Sequence, residues 1–180
     1  MSIFQIVLTS SVISGVLSAI ISYYFNLKIK RLDFKNEYYK SIIQKRMDAY
    51  QFVENQVSVL KGIVFGDDKQ AYHMILCYGE DKFLEFQQNI LIAISKGLWI
   101  DDDTMNTLEE INGLFFNINK KIHNKNQDEI ETIGKEYYKK ISDLRFKLEN
   151  NLKGGLIDLH NVEKIFKKKE KNNQILIYGE

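Results

Sequence analysis

The stretch 3–25 consists mainly of apolar and small residues and contains no charged residue and no proline. A helix rises about 1.5 Å per residue, so roughly 20 residues cross the ~30 Å hydrocarbon layer of a bilayer. Within lipid, a single segment satisfies all its backbone polar groups only as a helix. The hydrophobic pattern therefore predicts one transmembrane anchor over residues 1–27.

The residues that follow this stretch predict its orientation. Tyr23 and Tyr24 lie where an interfacial aromatic belt is expected, and the first cations, Lys28, Lys30 and Arg31, come directly after them. No Lys or Arg precedes the stretch, so the positive-inside rule places its C-terminal side in the cytoplasm and the N-terminus outside. These five residues are predicted to lie at the membrane surface.

A cleaved secretory signal is the alternative interpretation of residues 3–25. Such a signal has a basic region before the apolar stretch and a small-residue cleavage site after it. The basic region is missing, and Ser18 and Ala19 are followed by Ile20 without an evident processing site. We therefore expect the segment to be retained as an anchor.

Small residues recur along the predicted span at helical spacing. Serine occupies every fourth position from Ser10 to Ser22, and a neighbouring row contains Ser11, Gly15 and Ala19. Small side chains let two membrane helices approach closely, although a serine hydroxyl can also bond to the carbonyl one turn earlier in its own helix. The predicted helix–helix interface comprises Ser11, Ser14, Gly15, Ser18, Ala19 and Ser22.

Beyond the span the apolar residues keep the period of an α-helix. A first stripe, with spacings of three and four residues, comprises Tyr39, Ile43, Met47, Tyr50, Val53, Val57, Leu60 and Val64. Further amphipathic segments follow after short polar loops. This pattern predicts an all-α protein in which the transmembrane helix is followed by an antiparallel helical bundle over residues 28–166.

Two short apolar runs are compatible with a strand pair in addition to the helices. Residues 72–78 have no clear period and fit either a buried strand or a turn that crosses the core. The tail 167–180 is basic and then apolar, and its residues 174–178 could pair as a strand with the first run.

Capping residues indicate where the helices begin and end. Asp81 is a predicted N-cap. The acidic run 101–103 predicts a further helix start, because carboxylates favour the positive end of the helix dipole. Asn126 and Glu129 have the spacing of a capping box. Gly154–Gly155 predicts the end of the last long helix. One short helix is predicted to start at Asp158, with Leu159, Val162 and Phe166 on its apolar side.

No motif in the sequence identifies a catalytic, cofactor-binding or metal-binding residue. The run 101–103 lacks the glycine and glutamate of a calcium loop, and His73 with Cys77 gives only two of the ligands that zinc needs. Glycine-rich phosphate-binding motifs are also missing. Cys77 is the only cysteine, which excludes an internal disulfide and agrees with a reducing compartment.

Two other functions remain open at this point. An enzyme could assemble its site from dispersed polar residues such as Tyr72, His73, Glu80 and Trp99. A nucleic-acid binder could use the basic run 167–169, but the formal net charge is only +1 and the run is explained by a solvated helix end. Nucleic acid is therefore not an expected partner.

Two short motifs, Lys45-Arg46-Met47-Asp48-Ala49-Tyr50 and Gly97-Leu98-Trp99-Ile100-Asp101, resemble a loose group of bacterial and prophage proteins of unassigned function. Members of that group have one N-terminal span followed by a small helical domain, and some lie among genes of phage conflict. The resemblance implies a membrane-tethered accessory protein and transfers no catalytic residue.

These observations together predict a non-enzymatic, single-pass protein of the bacterial inner membrane. Its partners are expected to be the lipid bilayer and either a second copy of the chain or another protein, and no cofactor is expected. The most specific function that we expect is phage defence or superinfection immunity.

Overall fold

The computed structural model describes residues 3–161, with side chains from residue 13 onward. In this range the chain is mostly helical, which confirms the predicted class, and it also contains one small antiparallel strand pair. The elements are α1 (Ile3–Leu60), β1 (Ile63–Phe65), β2 (Ala71–His73), a 3-10 turn (Met74–Leu76), α2 (Gly79–Ser95), α3 (Asp102–Ile122) and α4 (Gln127–Ile157). The predicted tail, residues 167–180, lies outside the described residues.

Helix α1 is unbroken, in keeping with a sequence that has neither glycine nor proline between Gly15 and Gly62. It contributes to two compact units, which divide after Ile42. Within the part of the chain that the structure describes, no helix is both long and apolar enough to cross a membrane. The first part of the predicted span, residues 3–12, lies outside the described side chains.

The second half of α1 supplies one wall of the core. Tyr50, Val53, Val57 and Leu60 are buried, as the stripe in the sequence predicts. The prediction is wrong for Met47, whose side chain is 47% exposed, because Arg46 is the residue that points inward. The Arg46 guanidinium donates hydrogen bonds to the backbone carbonyls of Trp99, Asp158 and Leu159, which allows this charged side chain to be buried.

Strands β1 and β2 form a hairpin that follows α1. They pair antiparallel with Ile63 opposite His73 and Phe65 opposite Ala71. An ion pair of 2.8 Å from Asp68 in the turn to Lys135 holds the hairpin against α4. The run 72–78 thus contains the end of a strand and then the 3-10 turn, and its strand partner is β1. The predicted partner, residues 174–178, lies outside the described residues.

Two of the predicted helix starts are confirmed. The Asp101 side chain accepts a hydrogen bond of 2.8 Å from the Thr104 backbone N–H at the start of α3. Asn126 and Glu129 form a reciprocal capping box at the start of α4. The prediction for α2 is wrong, because α2 begins at Gly79 and Asp81 lies in its first turn. Gly79 has a φ of 84°, which lets the chain turn directly into the helix.

The predicted end of α4 is also wrong. The helix continues through Gly154 and Gly155 to Ile157, and Asp158 caps its C-terminus instead of starting a new helix. Residues 162–166 of the predicted short helix lie outside the described part. Gly155 belongs inside the helix for a packing reason: Tyr50 and Asp101 occupy the space that a Cβ atom there would need.

Candidate functional site

The predicted interface and membrane-surface residues lie along the N-terminal part of α1. Every described side chain from residue 13 to residue 41 is exposed, which includes all these residues except Ser11, a residue outside the described side chains. A Cβ atom added at Gly15 would meet no atom within 4 Å. Within the described residues, therefore, nothing covers the small-residue face of α1.

A buried arginine lies in the second half of α1. Arg46 is only 1% exposed, and its guanidinium donates to the backbone carbonyls of Trp99, Asp158 and Leu159. Two of these carbonyls follow the end of α4, where the helix dipole gives a partial negative charge. Backbone carbonyls of three residues thus accept hydrogen bonds from this buried charge.

Tyr50, one helical turn after Arg46, extends this polar network to the start of α3. Its hydroxyl donates to Asp101 Oδ2 at 2.8 Å and accepts from the Asp101 backbone N–H at 3.1 Å. The same carboxylate accepts from the Thr104 hydroxyl at 2.7 Å. Burial, followed by the negative charge of Asp101, raises the pKa of Tyr50 to about 12.

This network joins the two sequence motifs that carry the resemblance. Arg46 and Tyr50 belong to the first motif, Trp99 and Asp101 to the second, and Lys45 Nζ lies 5.1 Å from the centre of the Trp99 ring. The contacts run between side chains and backbone within the domain, and they connect α1, the loop before α3 and the end of α4. We interpret the network as a structural contact that holds these three segments together.

The apolar stripe correctly predicts that Tyr50 is buried, but the burial of Arg46 was not predicted. A signal was present: Arg46 lies four residues before Tyr50, and four, three, four and three residues separate the buried positions Arg46, Tyr50, Val53, Val57 and Leu60. A cation within such a stripe either extends its charged group to solvent or makes buried polar contacts. The position of Arg46 in the stripe therefore made it a candidate for a buried polar contact.

His73 is the second buried polar group. Its side chain is 1% exposed, and Nε2 lies 3.0 Å from Ser142 Oγ and 3.3 Å from the Tyr138 carbonyl oxygen. Burial lowers the pKa of His73, with a smaller contribution from Arg145, although nearby backbone carbonyls oppose the shift. The neutral ring is enclosed between β2 and α4, out of reach of a substrate.

The four residues of the enzyme hypothesis do not converge on one site. Tyr72 packs against Gly134 of α4, while its neighbour His73 contacts Tyr138 and Ser142. Glu80 accepts a hydrogen bond of 2.8 Å from His123, the residue that follows the end of α3. This hydrogen bond also lowers the pKa of Glu80. The Trp99 carbonyl belongs to the Arg46 network. Each residue thus has its own structural contacts in a different part of the domain.

An apolar groove lies between the end of α1, the 3-10 turn and α2. Its volume is about 230 Å³, and its walls include Val59, Met74, Tyr78 and Phe86. Pockets for small-molecule ligands usually measure about 300–1,000 Å³ and contain convergent polar groups. This groove is smaller, and its main polar pair, Lys82 with Glu85, forms an ion pair at the rim.

Within residues 3–161 no group of three or more histidine, cysteine or acidic side chains could hold a metal ion. The acidic run 101–103 caps α3 through Asp101. The basic run 167–169 lies outside the described residues, as does the rest of the tail.

Comparisons with models of protein families, with curated proteins and with solved structures found no match to this chain.

Proposed function

We propose that this chain is a single-pass anchored protein of the bacterial inner membrane whose helical domain lies in the cytoplasm and binds a second copy of the chain or another protein. The observation that carries the proposal is the uncharged stretch 3–25. It contains Tyr23 and Tyr24 near its end, and the cations Lys28, Lys30 and Arg31 follow it. Each cation near anionic headgroups adds about 1 kcal/mol of attraction.

The state of the polar side chains supports a binding role over a catalytic one. The buried polar groups Arg46, Tyr50 and His73 all make contacts within the domain. The apolar side chains that remain exposed are concentrated in α1 and include Ile20, Phe25 and Leu32. Exposed apolar surface of this extent is typical of contact with lipid or with another protein.

Cell fractionation with charge variants tests the membrane proposal. The intact chain should stay with bacterial membranes after an alkaline wash, and protease added outside the cells should leave its domain undigested. The double replacement Leu17→Lys, Ile20→Lys should release the chain, because a lysine within a span is unfavourable, by about 2.5–3.5 kcal/mol at its centre and by less toward its end. Phe34→Lys adds a cation beyond the span and is the matched control, which should stay in the membrane.

The most specific form of the proposal is a role in phage defence or superinfection immunity, which is supported by the resemblance of the two motifs. Cells that express the chain should form fewer plaques with at least one phage of a diverse panel than cells that express the Leu17→Lys, Ile20→Lys variant. Equal numbers of plaques for every phage on both strains would contradict this form of the proposal. The membrane proposal would then still be decided by the cell fractionation experiment.

A further inference from the structure

An apolar seam runs along the exposed part of α1, starting at the end of the predicted span. Phe25, Ile29, Leu32, Asn36 and Tyr39 follow one another at spacings of four, three, four and three residues. This is the heptad repeat of a coiled coil, with Ile29 and Asn36 at a positions and the other three at d positions. We call these five residues the α1 seam.

The apolar members of the α1 seam are open to solvent. Phe25 is 57% exposed, Ile29 and Leu32 are 51% exposed, and Tyr39 is 40% exposed. The same spacing continues toward the end of α1, but from Tyr50 to Leu60 those side chains are buried in the core of the domain. The seam available to a partner therefore ends before the domain core begins.

The residue types of the α1 seam favour a two-stranded parallel coiled coil. Isoleucine at a with leucine at d, as in Ile29 and Leu32, prefers two strands. A single asparagine at an a position, here Asn36, pairs with itself across the dimer and fixes both register and strand number. Binding to a flat surface of an unrelated protein does not require a heptad repeat with a single asparagine at an a position.

The same heptad frame extends backward into the predicted span. From residue 11 to residue 22 the a and d positions of this frame are all small: Ser11, Gly15, Ser18 and Ser22. Lipid gives no hydrophobic drive for helix association, so close packing of small residues is the favourable choice inside the bilayer, whereas large apolar side chains are favourable in water. The seam changes residue type at Phe25, where the predicted span ends.

We propose that the partner of α1 is a second copy of the same helix, which binds in parallel along the α1 seam and continues the contact through the small residues of the span. The proposal rests on the proposed membrane attachment, because two chains anchored in one bilayer with one orientation are held parallel and at a high effective concentration. The interface is isologous, with each seam residue facing its own copy across a two-fold axis.

Charges beside the seam are partly complementary in this arrangement. In a parallel dimer a residue at position g faces the e residue five positions later on the second helix. Lys28 therefore faces Asp33 of the second copy, twice in each dimer. Lys35 faces Lys40 in the same way, and this like-charge contact limits the affinity.

Disulfide cross-linking of the full chain in membranes tests the proposal. The native thiol is removed with Cys77→Ala, and single cysteines replace Leu32 at d, Asn36 at a, or Phe34 at an outward f position. Phe34 is the matched control because it is 74% exposed and lies two residues from each seam site. Membranes are oxidised and the fraction of covalent dimer is measured on a gel.

The Leu32→Cys and Asn36→Cys chains should form covalent dimer in much larger yield than Phe34→Cys. Equal yields at all three positions, or the largest yield at Phe34, would overturn the seam as the interface. A chain that stays in the membrane without any cross-link would overturn the dimer alone. A chain that fractionates with the soluble pool would contradict the proposed function as well.

A second measurement avoids cysteine and leaves the domain unchanged. Gly15→Leu places a large side chain at an a position of the same heptad frame. A Cβ atom added there meets nothing within 4 Å in the described chain, so a loss of association would point to the contact with a second copy. The mass of the purified protein in detergent should shift from dimer toward monomer for Gly15→Leu and stay dimeric for Val16→Leu, which lies off the seam. A monomeric wild-type chain at high concentration would overturn the proposal.

Discussion

A few buried polar residues connect elements of the helical domain that are distant in sequence. Arg46 and Tyr50 lie one turn apart on α1 and reach two segments that are distant in sequence: the start of α3 and the end of α4. A buried polar group that loses its partner costs about 1–3 kcal/mol, while a satisfied one adds only about 1 kcal/mol. Such a network therefore selects one arrangement of the elements more than it adds to stability.

Replacement of Tyr50 by phenylalanine should change both the stability and its pH dependence. At neutral pH the variant should lose about 1–3 kcal/mol of unfolding free energy, because the Asp101 carboxylate and backbone N–H each lose a partner. The pKa of Tyr50 is about 12 in the folded chain, above the ordinary value of 10.0. Its contribution is therefore complete below pH 10 and is lost as the pH rises toward 12.

The slope in this alkaline window separates the effect of Tyr50 from a general loss of stability. One proton retained only by the folded state lowers the unfolding free energy by about 1.4 kcal/mol per pH unit. The pKa of Tyr72 is also raised to about 12, and hydrogen bonds to acidic side chains raise the pKa values of Lys82, Lys121 and Lys135, so these groups add to the slope of the wild-type chain. Tyr50→Phe should make the slope shallower by up to about 1.4 kcal/mol per pH unit. Urea unfolding in detergent, followed by the fluorescence of Trp99, measures this slope, and an unaltered slope in Tyr50→Phe would contradict the assignment.

At the scale of the elements, periodicity and capping predicted most of the helices. The starts of α3 and α4 were predictable because their capping side chains lie within three residues of the groups that they cap. The end of α4 was not, because a glycine pair has the same appearance whether it ends a helix or makes room for a neighbour. The hairpin partner of β2 and the inward direction of Arg46 likewise depend on contacts between residues distant in sequence.

The glycine pair of α4 provides a test in which adjacent substitutions have opposite effects. A Cβ atom at Gly155 would lie 2.5 Å from Asp101 Oδ2 and against the Tyr50 hydroxyl, whereas at Gly154 it would meet nothing within 4 Å. Gly155→Ala should lower the unfolding free energy by about 1–3 kcal/mol through steric overlap. Gly154→Ala should raise it by about 0.5–1 kcal/mol through helix propensity. Thermal unfolding of both variants measures the two changes, and a loss of equal size in both would show that packing at Gly155 is not the cause.

At the scale of the whole molecule, sequence and structure contribute different parts of the candidate site. The uncharged stretch 3–25 and the basic residues after it are visible in the sequence alone. The structure adds that the apolar residues of the α1 seam, from Phe25 to Tyr39, remain exposed, while the residues Tyr50, Val53, Val57 and Leu60 of the same heptad frame are buried. This difference could not be predicted from spacing, because the same heptad repeat runs through both regions and only the folded domain determines which part is covered.

The like-charge contact in the proposed dimer predicts a substitution that strengthens association. Lys40→Glu would let Lys35 of each chain face a carboxylate of the second copy, so the monomer–dimer equilibrium in detergent should shift toward dimer. Lys30→Glu, at an outward b position, is the matched control because both variants change the charge equally. Each new carboxylate also lies three residues from an existing one, Glu37 for Lys40→Glu and Asp33 for Lys30→Glu. A parallel register along the α1 seam requires that only Lys40→Glu tighten the dimer, and the gain should fall as salt is added, since exposed ion pairs are screened. Equal effects of the two variants would exclude this register.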